Sequence, residues 1–386
     1  MHFGLVAGLI ALFLLLPDVY ILSGVIPHAA GWLKILFLLP TLAYVVVVAK
    51  MLLSGGADQT LMNLILWLTL CVFFPTVIFT VISLAGRGAA LLWSGAPAVF
   101  DRGALIIILL WLCGAVYGIV AGWKSVTVKE ETLAFADLPA SFDGYRIVHL
   151  SDLHIGTYAS APETVKRIVE RVNALQPDLV VFTGDIVNSS SAEILPFMDE
   201  LGRIEAPDGV LSVLGNHDYC LYRNYVFPDS PEQETEKVVA NEQAAGWRVL
   251  RNESVRIVRG ADSIAVAGVE NAGSRGFTDK ADLSQAMQGL PEGIFTILLS
   301  HDPSHWRREV LPDTDIALTL SGHTHGMQFR LGGFSPARWF YPEWGGVYRE
   351  GGRMLLVSTG TGGNVAFRFG VRPQILSITL ENNGGR

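Results

Sequence analysis

Hydrophobic and polar positions divide this chain into two unlike parts. Four long apolar runs fill its first third. Phe3–Ile26 is broken only by Pro17 and Asp18, Trp32–Leu53 carries Lys34 and Lys50 near its ends, and Leu61–Ala85 and Gly103–Trp123 hold no charged residue. Each run is long enough to cross the roughly 30 Å hydrocarbon layer of a membrane as a helix. Internal Pro40 and Pro75 are tolerable there, because neighbouring helices can satisfy the freed carbonyls. Buried helices of a soluble protein would show a charged face, so four runs with almost none predict an all-α transmembrane region. The first run lacks a basic leader and is followed by three more, so it reads as a retained span rather than a cleaved signal. Asp18 makes it the weakest of the four.

Beyond Trp123 the pattern shortens. Lys124–Glu131 is charged and reads as a connector or a first strand. Then β-branched runs alternate with helical periodicity. Strands are predicted at Arg146–Leu150, Asp178–Thr183, Val210–Leu214, Ile294–Leu299, Ile316–Leu320, Met354–Ser358 and Gln374–Leu380, and a helix at Pro162–Leu175. The early strand–helix alternation implies parallel pairing. Pro228–Glu236 is polar and acidic and reads as a surface loop. The domain division is therefore 1–123 for a transmembrane helical anchor and 124–386 for an α/β domain.

Charge sharpens this division. The 386 residues have a net charge of -8. Residues 1–123 contribute +1, so the remainder carries -9. That is an acidic domain without the positive footprint of a nucleic-acid platform, and no nucleic-acid binding is expected. The chain reads as multi-pass in the cell membrane. Lys50, Lys124 and Lys129 on one side balance Lys34, Arg87 and Arg102 on the other, so the face of the soluble domain is left open. Cys71, Cys113 and Cys220 form no disulfide framework or zinc spacing.

Candidate chemistry sits just past the predicted strands. Asp152 and His154 follow the first, Asp185 the second, and Asn216, His217 and Asp218 the third. His301 follows Ile294–Leu299, while His323 and His325 follow Ile316–Leu320. Ligands of open α/β sheets bind outside the carboxyl ends of the strands. Gly184, Gly215 and Gly322 allow the sharp turns that convergence needs. Asp-x-His and His-x-His would place both side chains on one side of an extended segment. Carboxylate and imidazole without thiolate favour Mn, Fe or Zn. Two ions need a shared anionic ligand, and such a pair can clamp both oxygens of an in-line displacement.

Five pieces in one order, D-x-H, GD, GNHD, H and GHTH, over about residues 145–325, resemble the calcineurin-like metallophosphoesterase superfamily and most of all its membrane-associated bacterial branch. The resemblance implies a four-layer α/β/β/α sandwich and a dinuclear site, with manganese favoured among the divalent ions. It implies Asp152, His154 and His325 on the first ion, Asn216, His301 and His323 on the second, and Asp185 bridging. It implies that His217 assists the leaving group, with Asp218 orienting it. It also implies hydrolysis of a phosphomonoester, phosphodiester or pyrophosphate. Attachment to a bilayer suggests a lipid-linked substrate or cell-envelope intermediate, and some members of the branch act on UDP-diacylglucosamine.

Structural roles are expected for His149, packed in the sheet, and for His305, exposed or capping. Asp302 is a candidate support for His301. Tyr219, Arg223 and Arg330 are candidate phosphate contacts for which plain surface is favoured. Gly326–Gln328 and the 360–369 loop depart from the commonest family forms, which bears on the substrate pocket rather than on the ligands. Two rival readings differ in class. One is a non-catalytic metal-binding membrane receptor or scaffold, which loss of a ligand or of His217 would favour. The other is a channel or transporter, which the expected lack of paired charges in the spans disfavours.

Overall fold

The computed structural model describes residues 13–54, 59–222, 229–274 and 276–384. Two compact units divide at Val120/Ala121.

The first unit is helical: α1 (Phe13–Val25), α2 (Gly31–Ser54), α3 (Gln59–Ala89) and α4 (Ala96–Val120). α2, α3 and α4 are each long and apolar enough to cross a membrane, whereas the described part of α1 is shorter. Residues 3–12 of the expected first span lie outside the described residues. α3 widens into a π turn at Thr69–Phe73, just before Pro75, which has no N–H for the regular ladder. Large apolar side chains stand fully open on these helices, with Trp32 66 %, Ile106 62 % and Leu110 68 % exposed. Lipid is the solvent that suits such a surface.

The expectation of unpaired spans needs correction. Asp101 lies inside α4 and pairs with Arg87 near the end of α3 at 3.3 Å. Ser83 donates to Asp101 and receives from Arg87, and Tyr20 donates to Ser83. The short turn between α3 and α4 brings these ends side by side. Gly86 helps, because a Cβ there would overlap Phe100. Close approach through small residues is how membrane helices pack, and it leaves partners for a buried charge.

Among the described residues, the second unit holds twelve strands in two six-stranded sheets. The first sheet runs β1 (Thr127–Phe135), β12 (Gln374–Asn382), β2 (Arg146–Leu150), β3 (Leu179–Phe182), β4 (Val210–Ser212) and β5 (Arg248–Val249). The second runs β10 (Gly346–Glu350), β11 (Arg353–Val357), β9 (Leu318–Ser321), β8 (Thr296–Leu299), β7 (Asp262–Gly268) and β6 (Glu253–Arg259). The central strands β2–β5 and β7–β8–β9 are parallel, with Ile147 opposite Leu179 and Ile297 opposite Leu318. β12 returns antiparallel beside β2 and also receives β1. Each sheet is therefore mixed.

Fully buried apolar residues explain the layers. Ile147, Leu179 and Leu211 face Ile264, Ile297 and Leu318 in one core between the sheets. The outer face of the first sheet is covered by α5 (Glu163–Ala174), whose Val165, Ile168, Val169 and Val172 recur at helical spacing. Trp306 and Val310 cover the outer face of the second. The result is the α/β/β/α sandwich. The expected loop at 228–236 is largely helix α6 (Pro231–Ala244), started by a capping box in which Ser230 and Gln233 satisfy each other's backbone. Pro228 itself lies outside the described residues.

Candidate metal centre

Five parallel strands, β2, β3 and β4 of one sheet and β8 and β9 of the other, end at a common edge and deliver the candidate donors. The chain does not deliver them by strand pleating, as the i, i+2 spacing suggested. Asp152, His154, Asp185, His323 and His325 all have left-handed backbones, with φ of 52°, 45°, 60°, 71° and 51°. Such conformations cost on the order of 1–3 kcal/mol each and persist only where surroundings enforce them. Here the loops bond to one another. Asp152 N donates to Gly184 O, His154 N to Asp185 O, Gly322 N to His301 O and Gly362 N to Asp152 O. A Cβ at Gly322 would collide with Ser151 and Asp152, so that position requires glycine.

Two donor groups result. Asp152, His154, Asp185 and His325 offer atoms all within 4.8 Å of one another, and so do Asp185, His301 and His323. Asp185 belongs to both. Its Oδ2 is 3.6 Å from His154 Nε2 and 3.1 Å from His301 Nε2. Asn216 Oδ1 joins the second group at 2.8 Å from His323 Nδ1, its amide turned that way by donating to Tyr222 OH. His154 Nε2 and His325 Nε2 stand 3.2 Å apart, and His325 Nε2 is 3.3 Å from Asp152 Oδ1.

These residues fit a pair of divalent cations. The inward atoms are carboxylate oxygens and ring nitrogens, and burial lowers His154 to about 3 and His323 to about 4. Neutral rings cannot offset the buried carboxylates. Burial pushes Asp152 up to about 6. Burial also opposes the charge on Asp185, but the imidazoles of His301 and His217 outweigh it and hold its carboxyl well below the usual range. In the same way burial works against a charged His301 ring, yet Asp185 lifts it to about 10. The cluster thus draws in positive charge where ligands converge, and carboxylate, imidazole and amide oxygen suit Mn, Fe or Zn.

Around the donors the structure reassigns several roles. Asp218 does not orient His217. Its two oxygens accept the backbone N–H groups of Asp185, Ile186, Val187 and Gly215, which ties the two donor loops together. The His217 ring is held instead by Asn188 O at 2.7 Å from Nδ1. Its backbone N–H donates to Asp185 Oδ1. Asp302 lies 4.0 Å from His323, while His301 is oriented by Thr183 O at 2.6 Å. His149 is buried against Thr183 Oγ1 as expected. His305 is fully buried rather than exposed, between Ser300 and Glu309. Tyr219 is buried away from the donors, where its hydroxyl accepts from Asn271 N. Arg330 lines a separate cavity, and Arg223 lies outside the described residues.

Three features went unread in the sequence. Tyr341 OH sits 2.7 Å from His323 Nε2, and the exposed Phe277 ring meets His323 edge-on. Arg368 is fully buried without a carboxylate partner, and burial lowers it to about 10. Its Nε and Nη2 donate to Gly362 O and Thr359 O. No spacing links these positions to the motifs; only the glycine-rich run before Arg368 hinted at a loop pressed against something.

The model of the calcineurin-like phosphoesterase family matches residues 145–327. A metallophosphoesterase of Aquifex aeolicus is 30% identical over 266 residues, covering 67% of this chain and 92% of that protein. A transmembrane protein with metallophosphoesterase domain from Danio rerio is 29% identical over 289 residues, 72% of this chain and 63% of that protein. The UDP-2,3-diacylglucosamine pyrophosphatase LpxG of Chlamydia trachomatis is 26% identical over 291 residues, 62% of this chain and 85% of that protein. The chain belongs to the calcineurin-like phosphoesterase family.

Proposed function

We propose that the protein is a multi-pass cell-membrane hydrolase of phosphate esters, with residues 1–120 as anchor and 121–386 as the catalytic domain. The observation that carries this reading is the pair of donor groups sharing Asp185. Asp152, His154 and His325 would hold one ion, Asn216, His301 and His323 the other, and Asp185 both, with manganese favoured. When bound, two such ions polarise the phosphoryl oxygens and make water a nucleophile at neutral pH. The chain's own part follows from the hydrogen bonds. With Nδ1 donating to Asn188 O, His217 keeps Nε2 to exchange a proton with the leaving oxygen. Asp218 keeps the Asp185 and Asn216 loops in register.

The substrate class we favour is a lipid-linked phosphate ester or pyrophosphate of the cell envelope. The apolar helices and the name of the LpxG relative support it. The receptor or scaffold reading is disfavoured, because no donor position is lost and His217 is present. Full-length protein should bind about two transition-metal ions and hydrolyse UDP-diacylglucosamine or a related lipid phosphate. Absence of metal after reconstitution would reject the dinuclear site. Metal without hydrolysis of any lipid or nucleotide phosphate would favour the receptor.

A further inference from the structure

We propose that a basic pocket at the start of the second unit, apart from the metal centre, binds the phosphate of an anionic phospholipid headgroup. This goes beyond the hydrolase reading and rests only on its membrane-anchor part.

The pocket measures about 300 Å³. One wall is the chain directly after α4, with Lys124 and Thr127. A second is one side of α5, with Thr164, Arg167 and Arg171. Arg372, just before β12, closes the third. The lining contains no Asp or Glu. Among the described residues, none of its four cations lies in an ion pair. Several other arginines of this unit are matched, as Arg251 with Glu270, Arg259 with Asp178 and Arg307 with Glu343, at 2.6 to 2.8 Å. Four unmatched cations converging in a unit of net negative charge repel one another unless an anion joins them. They are also partly fixed. Arg167 donates to Thr164 Oγ1, Arg171 donates to Val126 O, and the Lys124 ammonium lies over the Trp123 ring. Their remaining N–H groups are left for a ligand, and guanidinium suits phosphate oxygens.

Position along the chain selects lipid as the source of that phosphate. Lys124 follows Val120, the last residue of α4, by four residues, at most about 14 Å of extended chain. The pocket wall therefore begins within reach of the headgroup layer, where anionic lipid attracts juxtamembrane basic residues. A neighbouring cavity of about 450 Å³ shares Thr127 and Arg372 and adds Lys129 and Arg330. The chain beside Arg330 exposes Leu331 by 65 %, Phe334 by 41 % and Trp339 by 72 %. Basic groups bordered by exposed aromatics match an interfacial surface, whereas a free phosphate has no use for the aromatics. The volume is at the lower limit for ligand pockets, which suits a headgroup and is too small for a nucleotide-linked lipid. The pocket is an accessory site, not the substrate's.

The test uses the full chain in a neutral detergent, with bound lipid counted by native mass spectrometry across a titration. Phosphatidylglycerol should be retained, and phosphatidylcholine should not compete for the same site. Each removed cation weakens such binding about fivefold, so the triple variant R167S/R171S/R372S should lose about a hundredfold. Arg167→Ser and Arg372→Ser alone, both at exposed positions, should each lose about fivefold and keep the test open if the triple variant misfolds. Metal content should stay unchanged throughout. Equal retention of phosphatidylcholine, or undiminished phosphatidylglycerol binding in the variants, would overturn the site. Glycerol 3-phosphate displacing lipid at equal concentration would show a soluble phosphate ester as the ligand and overturn the lipid assignment.

Discussion

Trp123 closes the last apolar run of the sequence, yet it packs inside the second unit, where it is 6 % exposed. Its ring stacks on Tyr158 at 5.5 Å between centroids, in a core shared with Val126, Val165 and Ile375. Tyr158 OH is 3.0 Å from Thr361 O and 3.4 Å from Trp123 O. Thr361 and Gly362 in turn donate to the carbonyls of Ser151 and Asp152. A chain beginning at Lys124 therefore loses both a core side chain and one prop of the loop against Asp152. Removing a buried Trp side chain costs about 3–5 kcal/mol. For a unit of this size that is a fall of roughly 6–20 °C in melting temperature. A chain beginning at Ala121 keeps the ring and is the comparison. Thermal unfolding of both, metal-loaded and at equal concentration, reads the difference. The metal-loaded Lys124 chain should also release its ions more readily to a chelator. Melting temperatures within 1–2 °C of each other would refute the packing argument, because the aromatic contact would then contribute almost nothing.

Asp185→Asn should weaken both ions together, by about a hundredfold or more each, since its carboxylate alone belongs to both donor groups; elemental analysis showing one ion retained at full affinity would contradict the sharing. His217→Ala should keep metal but slow turnover by about 10²–10⁴-fold on unactivated esters. The loss should be much smaller on nitrophenyl esters, and an equal loss on both would argue for phosphate binding instead. Glu242 is buried beside Ser212, and burial, reinforced by the Asp218 charge, raises it from 4.5 to about 8. The native state then holds a proton that the unfolded chain releases, so stability falls as pH rises from about 4.5 to about 8. The slope is up to about 1.4 kcal/mol per pH unit. Glu242→Gln should flatten that slope in denaturant titrations, and an unchanged slope would exclude Glu242 as its source. Arg368→Met leaves the Thr359 and Gly362 carbonyls without their donor and should destabilise by about 2–5 kcal/mol; a neutral effect in chemical denaturation would show that water replaces the guanidinium.

The strands most legible in the sequence were those buried on both faces. Arg146–Leu150 and Asp178–Thr183 read as continuous apolar runs because helices and the second sheet cover both sides. The β6–β7 hairpin was not read. Glu253–Arg259 alternates polar and apolar on an edge, a weak signal that polar flanks dilute. The start of α6 reads as a loop because its first turn is acidic and proline-led, which is also how a capped helix begins. Asp218 adjoins His217 in sequence, yet its carboxylate turns toward three backbone amides of the Asp185 loop and one of its own.

Local sequence alone determined the long apolar helices, the parallel core strands and the candidate donor residues. Hydrophobic periodicity and the chemistry of carboxylate and imidazole are properties of short segments. Only the tertiary structure decided which donors share Asp185, which carbonyls hold the His217 and His301 rings, that Trp123 belongs to the second unit, and that Arg87 meets Asp101. Those are contacts between residues from 14 to more than 200 positions apart. At the donor edge, loop geometry with left-handed backbone at the strand ends sets them, and no pattern along the chain encodes the direction in which such a turn aims its side chain.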